Sequence, residues 1–354
     1  MSPADGPVVL LGGGAVGSYV GGMLALAGVE VVLVDGWPEH VEAIRARGLA
    51  IASPEGEAIS RPQAWHFADA YRLRGLKPRI AFLAAKLYDT EWSARLLAQW
   101  LPAEVPVATM QNGLAEETVA RAVGWGRTLG VIAGGLDVSL TGPGAVRRSR
   151  RRGAGTTFKI GEVHGRSTPR AQWLAGLLER VDHAKVTTDL WSERWVKLCA
   201  NSMTTGLSGL TGLSLREVYT REDTRVIAVR LGAEALAVGR ALGFDAPQLF
   251  GAPSEAWLSA AAGDAPSLAQ VMGALEKQAE SMSGDGMSGT LQDLRKERPT
   301  EVEFFNGFIA AEGRRAGLNV PAHAAMAEMI REAEKKQRPI SLAALPVLQA
   351  RAAG

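Results

Sequence analysis

Pro7-Val-Val-Leu-Leu11, Gly12-Gly-Gly-Ala-Val-Gly17 and Glu30-Val-Val-Leu-Val-Asp35 decide the fold of this 354-residue chain. The first segment is a short apolar run without polar alternation, which suits a parallel strand buried on both faces. The second crowds glycines where a turn opens a helix, and residues 18–27 read as that helix, rich in small side chains and ended by Gly28. The third is another buried strand. Strand, glycine-rich turn, helix and strand within about 30 residues make a βαβ unit.

Outward from this unit the alternation continues. A helix is expected over residues 39–47, a strand over 79–86, a helix around 89–101 and a strand over 105–112, which predicts a parallel sheet covered on both faces. Residues 129–133, 136–140, 145–149 and 156–161 look like short strands, with a turn at Thr141-Gly-Pro-Gly144, and are expected to extend that sheet in antiparallel fashion. Beyond residue 188 the signals are helical, over 191–207, 224–242, 268–282, 301–316 and 322–336, with Gly317 and Pro321 between the last two. Residues 281–289 read as a loop. The expected architecture is α/β: an N-terminal Rossmann dinucleotide-binding domain over residues 1–187 and an all-helical substrate-binding and catalytic domain over 188–354.

The spacing Gly12-x-Gly14-x-x-Gly17 carries a mechanism in this setting. The first glycine permits the tight turn, the second lets a pyrophosphate approach the backbone, and the third lets helix and strand pack closely. Ala15 and Val16 start the helix, whose unpaired N–H groups and partial positive charge favour a phosphate. Asp35 closes the second strand, where a carboxylate accepts hydrogen bonds from ribose hydroxyls and repels a 2′-phosphate. No arginine occurs from residue 36 to 44, so NAD(H) is expected over NADP(H), with a solvated loop carboxylate as the alternative.

Lys197, Asn201 and Thr205 recur at i, i+4 and i+8 in an otherwise apolar or small-residue helix, so they share one face. That stripe is either the wall of a polar cleft or an ordinary solvated face. Further on, Pro299 and Thr300 suit a helix start and place Glu301 in its first turn, on a face with Phe305 and Phe308. An N-terminal carboxylate is favoured there by the helix dipole, and capping alone is a sufficient reason for it. Glu303 is expected to be exposed.

Taken in order, Gly12-x-Gly14-x-x-Gly17, Lys86, Gln111-Asn112-Gly113, Trp195-x-Lys197-x-x-x-Asn201 and Thr300-Glu301-x-x-x-x-Asn306-Gly307 resemble the ketopantoate reductase family, the 2-dehydropantoate 2-reductases. The likeness runs from residue 8 to about 335. It implies a cleft between a Rossmann and a helical domain, and hydride transfer from a nicotinamide to a 2-keto acid; with the NAD(H) expectation from Asp35, the expected reaction interconverts a 2-keto and a 2-hydroxy acid, or a related ketone and alcohol. It further implies Lys197 as general acid and base, Glu301 as a partner of the substrate hydroxyl beside the cofactor, and Asn112 and Asn201 as orienting groups. Lys86 is implied near both substrate and cofactor. Hydride addition builds charge on oxygen that an ammonium stabilises and then protonates. Three positions depart from the family's pattern. Thr205 stands where asparagine is usual, Ser288-Gly289 where a serine pair is usual, and Asp35 where an arginine is more often nearby. Ser288, Gly289 and Thr205 are therefore the positions expected to set the substrate. An imine or secondary-alcohol oxidoreductase, or an NAD-binding regulator without turnover, are the other function classes.

Composition narrows the partners. With 39 Lys+Arg against 37 Asp+Glu the formal charge is +2, which gives no electrostatic reason to expect nucleic acid or a membrane surface. Arg147-Arg-Ser-Arg-Arg-Arg152 reads as a solvated basic loop. The single Cys199 excludes an internal disulfide and reads as a core residue, and the five histidines lack ligand spacing, so no metal is expected. The start lacks the pattern of a secretory leader and no apolar run reaches a membrane span's length. A cytoplasmic homodimer acting on a small molecule is expected.

Overall fold

The computed structural model describes residues 6–153, 155–280, 282, 284 and 286–353. The chain divides into two compact units, Met1–Leu190 and Trp191–Gly354, just past the residue 187–189 boundary read from the sequence.

The first unit opens with β1 (Val8–Leu11), α1 (Ala15–Leu26), β2 (Val31–Asp35) and α2 (Pro38–Arg47). A hairpin of β3 (Leu49–Ser53) and β4 (Gly56–Ser60) precedes β5 (Gln63–His66). The alternation then resumes with β6 (Ile80–Leu83), α3 (Thr90–Trp100), β7 (Val107–Thr109), α4 (Glu116–Val123) and β8 (Thr128–Ala133). It closes with β9 (Val138–Gly142), β10 (Ala145–Arg148), β11 (Phe158–Glu162), α5 (Pro169–Leu178) and β12 (Ala184–Thr187). Eight strands form one sheet in the order β12-β11-β8-β7-β6-β1-β2-β5, every neighbouring pair parallel except β8 with β11. β1 sits where the strand order reverses, so the chain leaves the C-terminal ends of β1 and β6 in opposite directions and opens a crevice there.

Both faces of this sheet are buried, which explains strands without polar alternation. Val8 and Leu10 of β1 join Ile80 and Phe82 on one face, while Val9 and Leu11 join Ala81 and Leu83 on the other. The strands at residues 136–149 correct the sequence reading. β10 pairs parallel with β3 and antiparallel with β9, building a separate four-stranded sheet in the order β4-β3-β10-β9. Of the expected antiparallel extension, β8 and β11 hold. The reason lies in α1, which is apolar nearly all round. Its outer side needs cover, and Leu49, Ile51 and Val146 of the small sheet share a core with Val20 and Leu24.

The basic run is corrected too. Arg147, Arg151 and Arg152 are exposed, but Arg148 is 1% exposed and forms a 2.5 Å ion pair with Asp182, also donating to the Tyr19 hydroxyl. Asp182 further accepts from Thr157 Oγ1 at 2.8 Å and Gly153 N at 3.0 Å.

The second unit comprises α6 (Leu190–Thr211), α7 (Leu215–Thr220), α8 (Glu222–Ala241), α9 (Ser254–Ala261), α10 (Ala265–Glu280), α11 (Gly289–Arg295), α12 (Asn306–Arg315), α13 (Pro321–Glu334) and α14 (Ala344–Ala352), with a two-residue hairpin before α9. In the 281–289 loop, Ser281, Ser283 and Asp285 lie outside the described residues. α6 is the axis. Its Trp195 is fully buried, donates to Ala235 O at 3.0 Å and stacks on Phe244 at 4.8 Å. α8 passes this indole at Gly239, where a Cβ would lie 2.1 Å from Trp195 Nε1. Among the described residues no helix is long and apolar enough to cross a membrane.

Asp182→Ala leaves the Arg148 guanidinium buried without its counter-charge and is expected to destabilise the first unit by about 3–5 kcal/mol in urea unfolding. Burial opposes ionisation of Asp182, but the Arg148 hydrogen bond and backbone amides outweigh it and hold the carboxyl below its usual range. A depressed carboxyl stabilises above its unfolded-state pKa and loses that contribution as pH falls through the folded value. The gap between wild type and Asp182→Ala is therefore expected to narrow in acid.

Candidate active site

The glycine-rich turn leaves the C-terminal end of β1. A Cβ at Gly17 would lie 1.9 Å from Gly12 O, so only glycine lets α1 start this close to the strand. At Gly14, by contrast, an added Cβ meets nothing within 4 Å. Gly14 is also the N-cap of α1, with no side-chain cap and no acidic residue in the first turn. Among the described residues, the first amides of the helix, from the half-buried Ala15 and Val16 onward, thus have no side-chain cap. Open space over uncapped helix amides fits a pyrophosphate.

Asp35 is half-buried rather than a solvated loop carboxylate. Its Oδ2 accepts from Gly13 N at 2.5 Å and its Oδ1 from Trp37 N at 2.8 Å, tying the glycine-rich turn to the end of β2. Each oxygen retains acceptor capacity. On the other side of β1, Gln111 after β7 donates through Nε2 to Ala85 O at 2.9 Å and Thr90 Oγ1 at 2.8 Å, and to Lys86 O at 3.3 Å. This clamp fixes the backbone around Lys86, which is half-buried, and leaves the adjoining Asn112 exposed. The fold thus gathers Gly12, Gly14, Gly17, Asp35, Lys86 and Asn112 at the same end of neighbouring strands.

In the second unit, Lys197, Asn201 and Thr205 are half-buried along one edge of α6, while Leu198, Cys199, Ser202 and Met203 are buried. The Cys199 thiol is fully enclosed, and burial pushes its pKa up, which favours the neutral thiol. Thr205 Oγ1 donates back to Asn201 O at 2.8 Å. Ser288 is buried at the N-cap of α11, where it accepts from Leu291 N at 3.0 Å and donates to Thr205 O at 3.2 Å. These two bonds hold the Ser288 hydroxyl between the start of α11 and the Thr205 backbone of α6. Gly289, next to it, is exposed with open space around it.

Glu301 also differs from expectation. A short 3-10 turn, Val302–Phe304, and a break at Phe305 (φ −113°, ψ −93°) separate it from α12, which begins at Asn306. Glu301 therefore precedes the helix and shares no helical face with Phe305 and Phe308. The Thr300 hydroxyl and backbone N–H both donate to Glu334, which holds the segment back toward α13. Glu303 is exposed as expected and pairs with Arg331 at 2.5 Å. Asn306 is buried. Its Nδ2 donates to Ser202 O on α6 at 2.9 Å and contacts His323 Nδ1 at 3.1 Å, and His323 Nε2 reaches Leu231 O at 2.8 Å. Burial brings the His323 pKa down to about 4, so the ring is neutral. The sequence motif contained Asn306 but nothing in it pointed to His323.

A dinucleotide-type sheet, a glycine-rich turn at its switch point and a lysine-bearing helix in a separate unit define a Rossmann-type dehydrogenase. Two family models match: "Ketopantoate reductase PanE/ApbA" over residues 8–165 and "Ketopantoate reductase PanE/ApbA C terminal" over residues 189–334. The chain belongs to the ketopantoate reductase family and is an oxidoreductase of that type. It is 28% identical over 346 residues to a 2-dehydropantoate 2-reductase of Mesorhizobium japonicum, covering 92% of this chain and 96% of the relative. The corresponding Archaeoglobus fulgidus protein is 27% identical, with 92% and 97% covered. Among solved structures, a PanE/ApbA family ketopantoate reductase from Ralstonia eutropha matches with TM-score 0.76 and 26% identity over 94% of this chain and 99% of that one. D-mandelate dehydrogenase with NADH and anilino(oxo)acetate has the same fold, with TM-score 0.75, 20% identity and 93% and 99% coverage.

The two glycines separate by their space. Gly17→Ala forces a methyl group against the Gly12 carbonyl and is expected to destabilise the first unit by about 1–3 kcal/mol. Gly14→Ala is expected to melt within about 0.5 kcal/mol of wild type, the range of an unhindered surface change. Circular dichroism melts of both variants check the contrast.

Proposed function

We propose that the protein is an NADH-preferring reductase of a 2-keto acid or closely related ketone, running in either direction, with residues 1–187 binding the dinucleotide and 188–354 holding the substrate and proton donor. The observation that carries this reading is Lys197, half-buried on a polar edge of a mostly buried helix, in a family of keto-acid reductases. When bound, the reduced nicotinamide supplies the hydride.

The chain's own residues do the rest. Uncapped amides at Ala15 and Val16 and the open face of Gly14 receive the pyrophosphate. Asp35 keeps acceptor capacity for ribose hydroxyls while its charge disfavours a 2′-phosphate. The same fold in D-mandelate dehydrogenase holds NADH, so the scaffold accommodates the unphosphorylated cofactor. Lys197 stabilises the oxygen that gains charge and donates its proton there, and takes a proton back in the reverse direction. Glu301 accepts the substrate hydroxyl, Asn112 and Asn201 orient the reactants, and Lys86 lies beside them. Thr205 and Gly289 offer less polar reach than an asparagine and a serine, which supports a substrate bulkier or more apolar than ketopantoate.

Steady-state kinetics on a panel of 2-keto and 2-hydroxy acids with both cofactors tests this. Higher kcat/KM with NADH than with NADPH is expected, and the reverse order removes the role given to Asp35. Lys197→Ala is expected to lower kcat by roughly 100-fold or more, the usual range for an acid–base group, while NADH fluorescence titration remains near wild type. Unchanged turnover returns Lys197 to a solvated surface residue.

A further inference from the structure

Gly13 is held on both sides of its Cα. Its N–H donates to Asp35 Oδ2, and its carbonyl accepts from Ser18 Oγ at 2.7 Å. Ser18 in turn lies 3.0 Å from His40 Nε2. The far nitrogen of the same ring, Nδ1, accepts the Gly144 N–H at 3.0 Å. A nitrogen that accepts carries no proton, so the proton of this ring sits on Nε2 and points at Ser18. The whole line then has one polarity: Gly144 N–H to His40 Nδ1, His40 Nε2–H to Ser18 Oγ, Ser18 Oγ–H to Gly13 O.

Ser18 and His40 are both 0% exposed, so neither bond is exchangeable with water at small cost. Burial lowers the His40 pKa, with Asp35 acting in the opposite sense, which keeps the ring in the neutral form that this polarity demands. Trp37, two residues beyond Asp35, stacks on the imidazole at 5.4 Å and 7° and fixes its plane. At the outer end, Gly144 belongs to the β9–β10 turn, whose Pro143 carbonyl also accepts from Arg47 at 2.7 Å. The relay therefore starts on a loop anchored to α2 and ends on the turn that would meet the pyrophosphate.

We infer that His40 is a positioning residue for dinucleotide binding: acting through Ser18, it sets the orientation of the Gly13 peptide and with it the phosphate-facing amides that follow. The inference rests on the dinucleotide reading of the turn. Without the Ser18 proton, the Gly13 carbonyl is free to rotate toward the space that the phosphates need.

NADH and NADPH titration of wild type, His40→Phe, His40→Gln, His40→Asn and Ser18→Ala separates the possibilities, with kcat measured at saturating cofactor. Phenylalanine keeps the ring and its stack but neither nitrogen. Glutamine keeps a donor toward Ser18, and asparagine keeps only an acceptor toward Gly144. The expected result is a dissociation constant raised about tenfold in His40→Phe and Ser18→Ala, the loss of one net hydrogen bond, largely recovered in His40→Gln and not in His40→Asn, with kcat little changed. Recovery by asparagine instead of glutamine makes His40 an anchor for the β9–β10 turn only and overturns the inference, as does wild-type affinity in both His40→Phe and Ser18→Ala. Ser18→Ala buries less change and keeps the test alive if His40→Phe does not fold. A wild-type protein that binds neither cofactor overturns the dinucleotide reading itself, a result distinct from the others.

Discussion

Backbone meets backbone between Gly12 and Gly17, and much of the first unit follows from that contact. With no Cβ between them, α1 starts directly against the end of β1 and aims its free amides along the sheet's switch point. That proximity brings Gly13 within reach of Asp35 on β2 and of Ser18 one turn into the helix. It also sets α1 low on the sheet, where its remaining apolar surface requires the second, smaller sheet as cover. One steric allowance thus places a helix, a loop and a sheet.

The central strands were legible because both faces are buried and the sequence shows it as unbroken apolar runs. The helices at α6, α8 and α13 were legible from period and punctuation. The small sheet was not, because β3 and β4 are short, partly exposed and rich in small residues, and their decisive partner β10 is far along the chain. Local pattern identified β9 and β10 as strands but carried no information about which sheet they join. Glu301 was misplaced for a different reason. Pro299 and Thr300 do look like a helix start, yet the contact of Thr300 with Glu334 draws the segment into a 3-10 turn before α12 can begin.

At the site, residues legible from the sequence are those whose neighbours are local: the glycine turn, the stripe on α6, the carboxylate ending β2. For residues that act through distant partners, the sequence did not show the partner. Arg148 read as one of five loop arginines until Asp182 met it, and Asn306 acquired its work from Ser202 and His323. Ser288 likewise has a partner that its motif did not show, its hydroxyl accepting from Leu291 N at the start of α11.

The small sheet also dictates an order of events during synthesis. Its hairpin, β3 with β4, closes as soon as residue 60 is available, but the other edge of β3 waits for β10, in register Ala50 with Ala145. About 95 residues separate those partners, and at a synthesis rate of about 5–20 residues per second the wait lasts on the order of 5–20 s. Through that interval the nascent chain carries an open strand edge beside Leu49 and Ile51, the kind of surface that pairs with any passing strand.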